Sequence, residues 1–440
     1  MLTVLMYTLG VLLFVVGIAV SIGLHEVGHL YPAKKFGVKV TQYFVGFGRT
    51  LWSTRRGETE YGVKAVPLGG YVKLVGMLPP GREDKVDAEG RLKVRKSNTG
   101  MFTQVISDAR AAEYELVEPG DEDRLFYKLP WWKKVIVMAG GPTVNLVLAF
   151  ICFSILFMGH GTLGTTVDEV SDCVVAAKPG VTKVRACRDT DPVAPAKEAG
   201  LQPGDRITAL NGEEVTAWDQ VTTLIRANAG GRMEISFVRD GEPMTAVTNT
   251  RVSDRPSLTD RDEVEKVGFL GVVPTSNLVR QGPGYVVTTM AANTRDTIQA
   301  IGSLPVKLYH VGRAAVGLEE RADDSPMSVV GASRAAGQVT SAHQVPLVDR
   351  LFWIVGMLGA LNLFLGMFNF VPLLPLDGGH IAGALYEAAR RGVARVFRRP
   401  DPGYFDTAKL LPVAYVMAGA IAVMSVVLIY ADIVVPVQVG

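Results

Sequence analysis

Only three cysteines occur in 440 residues, too few for a disulfide framework. Cys152 lies in an apolar run and reads as a small packing residue. Cys173 and Cys187 can either pair or stay as two buried thiols. Charge is also scarce, at 20% against about 25% in soluble domains, and its absence is concentrated. Val4–Leu24, Val135–Gly159, Leu351–Asn369 and Leu410–Ala431 contain no charged residue. Each is long enough to cross ~30 Å of hydrocarbon at ~1.5 Å per residue. Soluble monomeric, disordered and fibrous classes are therefore excluded. The first run lacks a basic lead-in, is long, and has no small-x-small cleavage site after it. It reads as a retained helix rather than a signal peptide. A net charge of +2 gives no argument for a nucleic-acid partner.

The charges that remain are unevenly placed. Lys34–Lys134 holds 19 basic and 13 acidic residues, and Arg390–Lys409 holds six and two. His160–Asp349 holds 19 basic and 24 acidic residues. The positive-inside rule then puts the first two segments in the cytoplasm and the third outside, with both termini outside. The expected fold is a polytopic α-helical membrane protein. It has four transmembrane helices, a membrane-associated β-hairpin and one extracytoplasmic β-rich domain.

The expected order along the chain follows. Residues 1–33 form the first span, and 36–76 a small membrane-associated β-meander. Residues 77–130 form a cytoplasmic loop, partly disordered, with turns at Pro79-Pro80-Gly81 and Glu118-Pro119-Gly120-Asp121. Trp131-Trp132 and Lys133-Lys134 anchor the second span, 131–159. Residues 163–255 form the outer domain, with hairpin turns at Asn211-Gly212 and Asp240-Gly241. Residues 256–349 form a linker with an amphipathic helix over Thr294–Val316. The third span and its continuation occupy 350–389, a cytoplasmic loop 390–409, and the fourth span 410–434.

The first apolar run flows into His25-Glu26-Val27-Gly28-His29. Histidines at i and i+4 lie about 40° apart on a helix, so both imidazoles reach one metal ion. Glu26 is about 100° round from His25, where it can take a proton from water. A chance match on an ordinary helix is the plainer alternative. Three ionisable residues in a membrane helix argue against it, because they are costly there. Two histidines leave a catalytic zinc site one protein ligand short. Of the other four, His160, His310, His343 and His380, only His380 lies on the right side of the membrane. Its neighbour Asp377 follows Pro372 and Pro375, which break the third helix. His25 lies nine residues before Lys34, or ~14 Å along a helix, and Asp377 thirteen before Arg390, or ~20 Å. Both depths are measured from the same face. A helix N-cap alone would not need an acid at that depth, so Asp377 is favoured as third ligand, with His380 in reserve.

These residues resemble a known family. His25-Glu26-Val27-Gly28-His29, Gly141-Pro142-Thr143-Val144-Asn145 and Asn369-x-x-Pro372-x-x-Pro375-Leu376-Asp377-Gly378-Gly379 look like the three motifs of the site-2 intramembrane zinc metalloproteases. Ala199-Gly200-Leu201-Gln202-Pro203-Gly204-Asp205 sits in a domain that resembles a single PDZ module. In bacterial members with such a module the substrates are anti-sigma factors. Gly46-Phe47-Gly48 and Pro67-Leu68-Gly69-Gly70-Tyr71-Val72 are similar to the family's membrane-dipping hairpin. The likeness covers nearly the whole chain except Leu78–Leu125. Two residues separate Pro372 from Pro375 where some relatives have one.

The resemblance implies zinc as cofactor, bound by His25, His29 and Asp377, with Glu26 activating water. It implies substrate contacts from Asn369, Gly46, Phe47 and Gly48. Asn369 is open to two readings, a hydrogen bond to the substrate carbonyl or oxyanion and an interhelical bond. Asn145 reads as packing between helices. The implied partners are single-pass membrane proteins and the lipid bilayer. The PDZ-like module would add a peptide strand, act as a size filter, or only stabilise the outer face.

Two other functions compete. A membrane-anchored zinc peptidase acting on soluble substrates would take its third ligand from Glu58, Glu60 or Glu113, and would leave Asp377 unexplained. A PDZ scaffold with a vestigial metal site would not need Glu26 beside both histidines.

Overall fold

The computed structural model describes residues 1–81, 84–86, 92–93, 101–176, 185–257, 264–322 and 324–437. Parts of the expected cytoplasmic loop (82–83, 87–91 and 94–100) lie outside the described residues, as do 177–184 and 258–263. Ten α-helices are described: α1 Leu2–Lys35, α2 Met101–Tyr114, α3 Trp131–Ser154, α4 Pro195–Glu198, α5 Trp218–Ala227, α6 Pro283–Ala315, α7 Val329–Ser341, α8 Leu347–Asn369, α9 Asp377–Val396 and α10 Leu411–Val434. Wider turns continue α3 to His160. Leu2–Lys35, Trp131–His160, Leu347–Asn369 and Thr407–Val434 are long and apolar enough to cross a membrane. The amphipathic helix before the third span starts earlier than expected, at Pro283, where proline suits the first helical turn.

The chain divides into two compact units. The first comprises Met1–Cys152, Ala291–Leu308 and Ser328–Tyr430. In it α1 packs on α7 and α8 through Phe14, Ile18, Ala336 and Ile354. The close fit uses Gly10, where a Cβ would sit 2.7 Å from the Ala336 carbonyl oxygen.

After α1 the strands β1, Val40–Arg56, and β2, Thr59–Leu74, fold back on each other. Gln42–Val45 is paired on both sides, with Gly70–Lys73 on one and Glu60–Val63 on the other. Val45 pairs with Gly70 and Phe47 with Val66, while Trp52 pairs with Val63 and Arg55 with Glu60. Gln42–Val45 is therefore an inner rung. Among the described residues, no other strand pairs with the sheet. A substrate strand cannot add at Tyr43–Val45, because those backbone groups are already engaged on both sides.

The region after the sheet is more ordered than its charge suggests. Leu125 and Tyr127 are buried with Val75, and Phe126 joins Leu30, Val40 and Val137. Glu113 on α2 accepts hydrogen bonds from the Gly76 and Met77 N–H groups at 2.6 and 3.0 Å. Arg110 grips Asp406 at 2.6 and 2.7 Å. Where a loop was expected, Met101–Tyr114 forms the helix α2. Composition hides these pairings because their partners lie far away in sequence.

The second unit comprises Phe153–Met290, Tyr309–Met327 and Ala431–Gly440. Its four-stranded antiparallel sheet has the order Glu242–Asn249, Arg232–Arg239, Arg206–Leu210, Glu213–Glu214. Val167, Ile207, Leu210, Val221, Met233, Ile235 and Phe237 form its core. The alternation Met233, Ile235, Phe237 faces inward, as a half-buried strand requires. Asn211 and Asp240 take φ of 50° and 49°, and each precedes a glycine, giving the two tight hairpin turns expected. Cys173 and Cys187 form a disulfide with Cα atoms 5.9 Å apart, and Cys152 is free.

Candidate metal centre

The apolar sequence of α1 forces a long helix, and His25, Glu26 and His29 fall in its last three turns. The chain of α8 stops at Asn369, and a turn through Pro372 and Pro375 leads into α9. Leu376, not Asp377, occupies the N-cap position of α9. The carboxylate of Asp377 is therefore not spent on capping. The diglycine behind it is sterically required: a Cβ at Gly379 would lie 2.6 Å from the Leu374 nitrogen.

Helix and turn bring three donors together. His25 Nε2 lies 3.2 Å from His29 Nε2. Asp377 Oδ2 lies 3.4 Å from His25 Nε2 and 3.3 Å from His29 Nε2. Among the described residues this is the one such group of histidine, cysteine and carboxylate atoms. Tetrahedral zinc with bonds of ~2.0–2.1 Å separates its ligand atoms by about 3.3 Å. The three edges match that spacing, and two imidazoles and a carboxylate form a donor set suited to zinc. Asp377 Oδ2 is buried with no hydrogen-bond partner among the described residues, as an atom reserved for a cation would be.

The surroundings fix the ligand orientation. The Val137 carbonyl oxygen on α3 lies 2.8 Å from His29 Nδ1. Nδ1 then carries the proton and Nε2 keeps its lone pair. α3 can approach this closely because Gly28 and Gly140 meet backbone to backbone. A Cβ at Gly141 would sit 2.7 Å from His25 Nε2 and would also collide with His29 Nε2. Glu26 points to the sheet: a Cβ at Gly70 would lie 2.9 Å from its Cγ. Val137 escapes a motif search because it acts only through its backbone carbonyl, whereas Gly141 and Gly70 lie in stretches already singled out, Gly141-Pro142-Thr143-Val144-Asn145 and Pro67-Leu68-Gly69-Gly70-Tyr71-Val72. The diglycines at 69–70 and 140–141 were the visible signal.

The remaining expected residues fall outside the cluster. His380 is one helical turn beyond Asp377 and does not join it. Asn369 ends α8, half-buried. Gly46 and Gly48 have φ of 93° and 84° at the bend of β1, and Phe47 between them is exposed and stacks on Tyr71 at 6.5 Å. Glu58 pairs with Arg124 at 2.7 Å and Glu113 serves the Gly76–Met77 backbone. Neither they nor Glu60 joins the histidines.

Comparison with known proteins agrees with this chemistry. Residues 13–398 match the model of peptidase family M50. Zinc metalloprotease Rip1 of Mycolicibacterium smegmatis is 32% identical over 450 residues, covering 99% of this chain and 100% of that protein. Rip1 of Mycobacterium tuberculosis is also 32% identical, covering 99% of each. Metalloprotease MmpA of Caulobacter vibrioides is 26% identical over 400 residues, covering 86% of each. The extent of these matches makes the chain a member of peptidase family M50, the site-2 proteases, and a zinc metalloprotease.

Proposed function

We propose that this protease hydrolyses peptide bonds inside the transmembrane segments of single-pass membrane proteins, anti-sigma factors already cut outside the membrane being the substrate class. The carrying observation is that His25 and His29, on the membrane-type helix α1, converge with Asp377, which follows the membrane-type helix α8, while the Glu26 side chain lies against Gly70 of the sheet. In this reading His25, His29 and Asp377 hold zinc. When bound, zinc supplies Lewis acidity toward the scissile carbonyl and makes water a nucleophile near neutral pH. Glu26 takes the proton of the attacking water and passes it to the leaving amine. Asn369 hydrogen-bonds the substrate carbonyl.

A helical peptide bond is shielded by its own turn, so the substrate must unwind. Unwinding in lipid strands backbone groups at several kcal/mol each unless they are paired. The outer edge of Val66–Leu74 supplies that pairing. It passes beside Glu26 and no other strand occupies it among the described residues. Gly46, Phe47 and Gly48 shape its open end, with Phe47 as the apolar contact.

The charge distribution supports a plasma-membrane protein with both termini and the β-rich module outside and the metal centre toward the cytoplasm. The module is PDZ-like in its Ala-Gly-Leu-x-Pro-Gly-Asp loop, and serves as a peptide site or a size filter. Purified protein, with and without Glu26→Gln, tests the proposal against a labelled single-pass helix and a soluble peptide of the same sequence. Cleavage within the apolar segment, abolished by Glu26→Gln, is expected. Cleavage confined to soluble substrate refutes it.

A further inference from the structure

His29 has its Nδ1 partner in Val137, but His25 Nδ1 is buried without one among the described residues. If Nε2 of His25 is to bind a metal, Nδ1 carries a proton, and an unpaired donor in an apolar site is destabilising by roughly 1–3 kcal/mol. Two acceptors are in the matching condition. Asn145 Oδ1 and Asn362 Oδ1 are buried and have no partner among the described residues. Both side chains are nearly sealed, at 2% and 1% exposure.

Helix register brings the three together. His29 meets Val137, and one turn back on α1 His25 meets Gly141, one turn forward on α3. Continuing this antiparallel series by one turn sets Ser21 and Asn145 at the same level. Ser21 is in turn bonded to Asn362: Asn362 Nδ2 donates to Ser21 Oγ at 2.9 Å and to the Leu358 carbonyl oxygen at 2.8 Å. Because a carbonyl only accepts, the second bond fixes the amide with Oδ1 on the other side. α8 also touches α3 here, since a Cβ at Gly366 would be 3.1 Å from the Pro142 carbonyl oxygen. Helices α3 and α8 thus carry two unpartnered acceptors about one turn from His25, whose Nδ1 is the unpartnered donor.

We propose that Asn145 and Asn362 are positioning residues for His25. His25 Nδ1–H donates to one buried water, which donates to the two amide oxygens, and Ser21 holds Asn362 in place. A water accepting one bond and donating two would satisfy all three groups. The assignment of Asn145 as mere packing between helices is then incomplete. The inference rests on His25 being a zinc ligand.

The test is metal affinity of the full-length protein, by competition with a chromophoric chelator. It is run for His25→Ala, Asn145→Leu, Asn362→Leu and Ser21→Ala, with the visible spectrum of the cobalt-loaded forms and thermal stability without metal. Affinity should fall about 10–100-fold in both leucine variants and several-fold in Ser21→Ala, with a shifted cobalt spectrum. Asn145→Ser, which keeps a polar group and room for water, should recover most of the loss. Affinities within twofold of the parent in all three positioning variants, beside a large loss in His25→Ala, overturn the inference alone. Unchanged affinity in His25→Ala overturns the ligand assignment and this inference with it. Ser21→Ala removes a single oxygen, so if the leucine variants fail to fold, an affinity within twofold of the parent in Ser21→Ala overturns the inference by itself.

Discussion

His29 Nδ1 lies 2.8 Å from the carbonyl oxygen of Val137, a residue on a different helix and 108 positions away. That bond connects the packing of α3 to the chemistry of α1. It exists only because the helices touch at Gly28 and Gly140. The metal centre thus depends on residues that carry no functional group.

Glycine at 141 should behave as part of the metal site. A Cβ there falls on both histidine Nε2 positions. Gly141→Ala is expected to lower zinc affinity at least tenfold. Gly392→Ala, where a Cβ meets nothing within 4 Å on α9, should leave zinc unchanged and add up to about 1 kcal/mol of helix stability. Chelator competition and thermal melts check both.

Substrate choice should follow the ease of unwinding. Helix breakers lower the cost of exposing a peptide bond, by about 1 kcal/mol for Gly and about 3 for Pro relative to Ala. A substrate span with Gly, Asn or Pro near the cut should be cleaved, and its all-Leu version should not. Side-by-side rates at matched membrane insertion measure this. Equal rates would remove strand addition from the account.

The buried pair Lys134–Glu387 should matter for stability. Its atoms lie 2.9 Å apart, both side chains are under 10% exposed, and Glu387 also accepts from the Phe405 N–H at 3.0 Å. Glu387→Ala would strand a buried ammonium and should be destabilising by about 3–5 kcal/mol. The double variant Lys134→Met/Glu387→Met should lose less than Glu387→Ala. Detergent-solubilised thermal melts distinguish the two.

Acid should loosen the second unit through Asp205. Burial alone would raise its pKa. The Arg239 guanidinium and the Gln202 N–H overcome that and hold it below the usual carboxylate value. A depressed folded-state pKa stabilises the fold above the unfolded value of about 3.9, and the contribution fades as pH falls below it. Hydrogen exchange in Arg206–Leu210 should accelerate below about pH 4, and Arg239→Ala should speed that exchange already at pH 7.

The four long apolar helices and the facing pair His25 and His29 were legible because charge-free runs and i, i+4 histidines are local patterns. Asp377 was legible because an acid after two prolines inside an apolar run needs a reason. The sheet was legible as strands but not as an arrangement. Aromatic and β-branched residues show that Gln42–Val45 is extended, yet cannot show that it is paired on both sides, which moves the free edge to Val66–Leu74. Ordering of α2 was hidden because Arg110 and Asp406 are 296 residues apart. The proton partner of His29 was hidden because a backbone carbonyl leaves no trace in residue type.

The most direct test is zinc content and cleavage measured together on Glu26→Gln, Asp377→Ala and His380→Ala. Glu26→Gln should keep zinc and lose cleavage, Asp377→Ala should lose both, and His380→Ala should keep its zinc. An Asp377→Ala protein that retains zinc and activity while His380→Ala loses them would contradict the central claim.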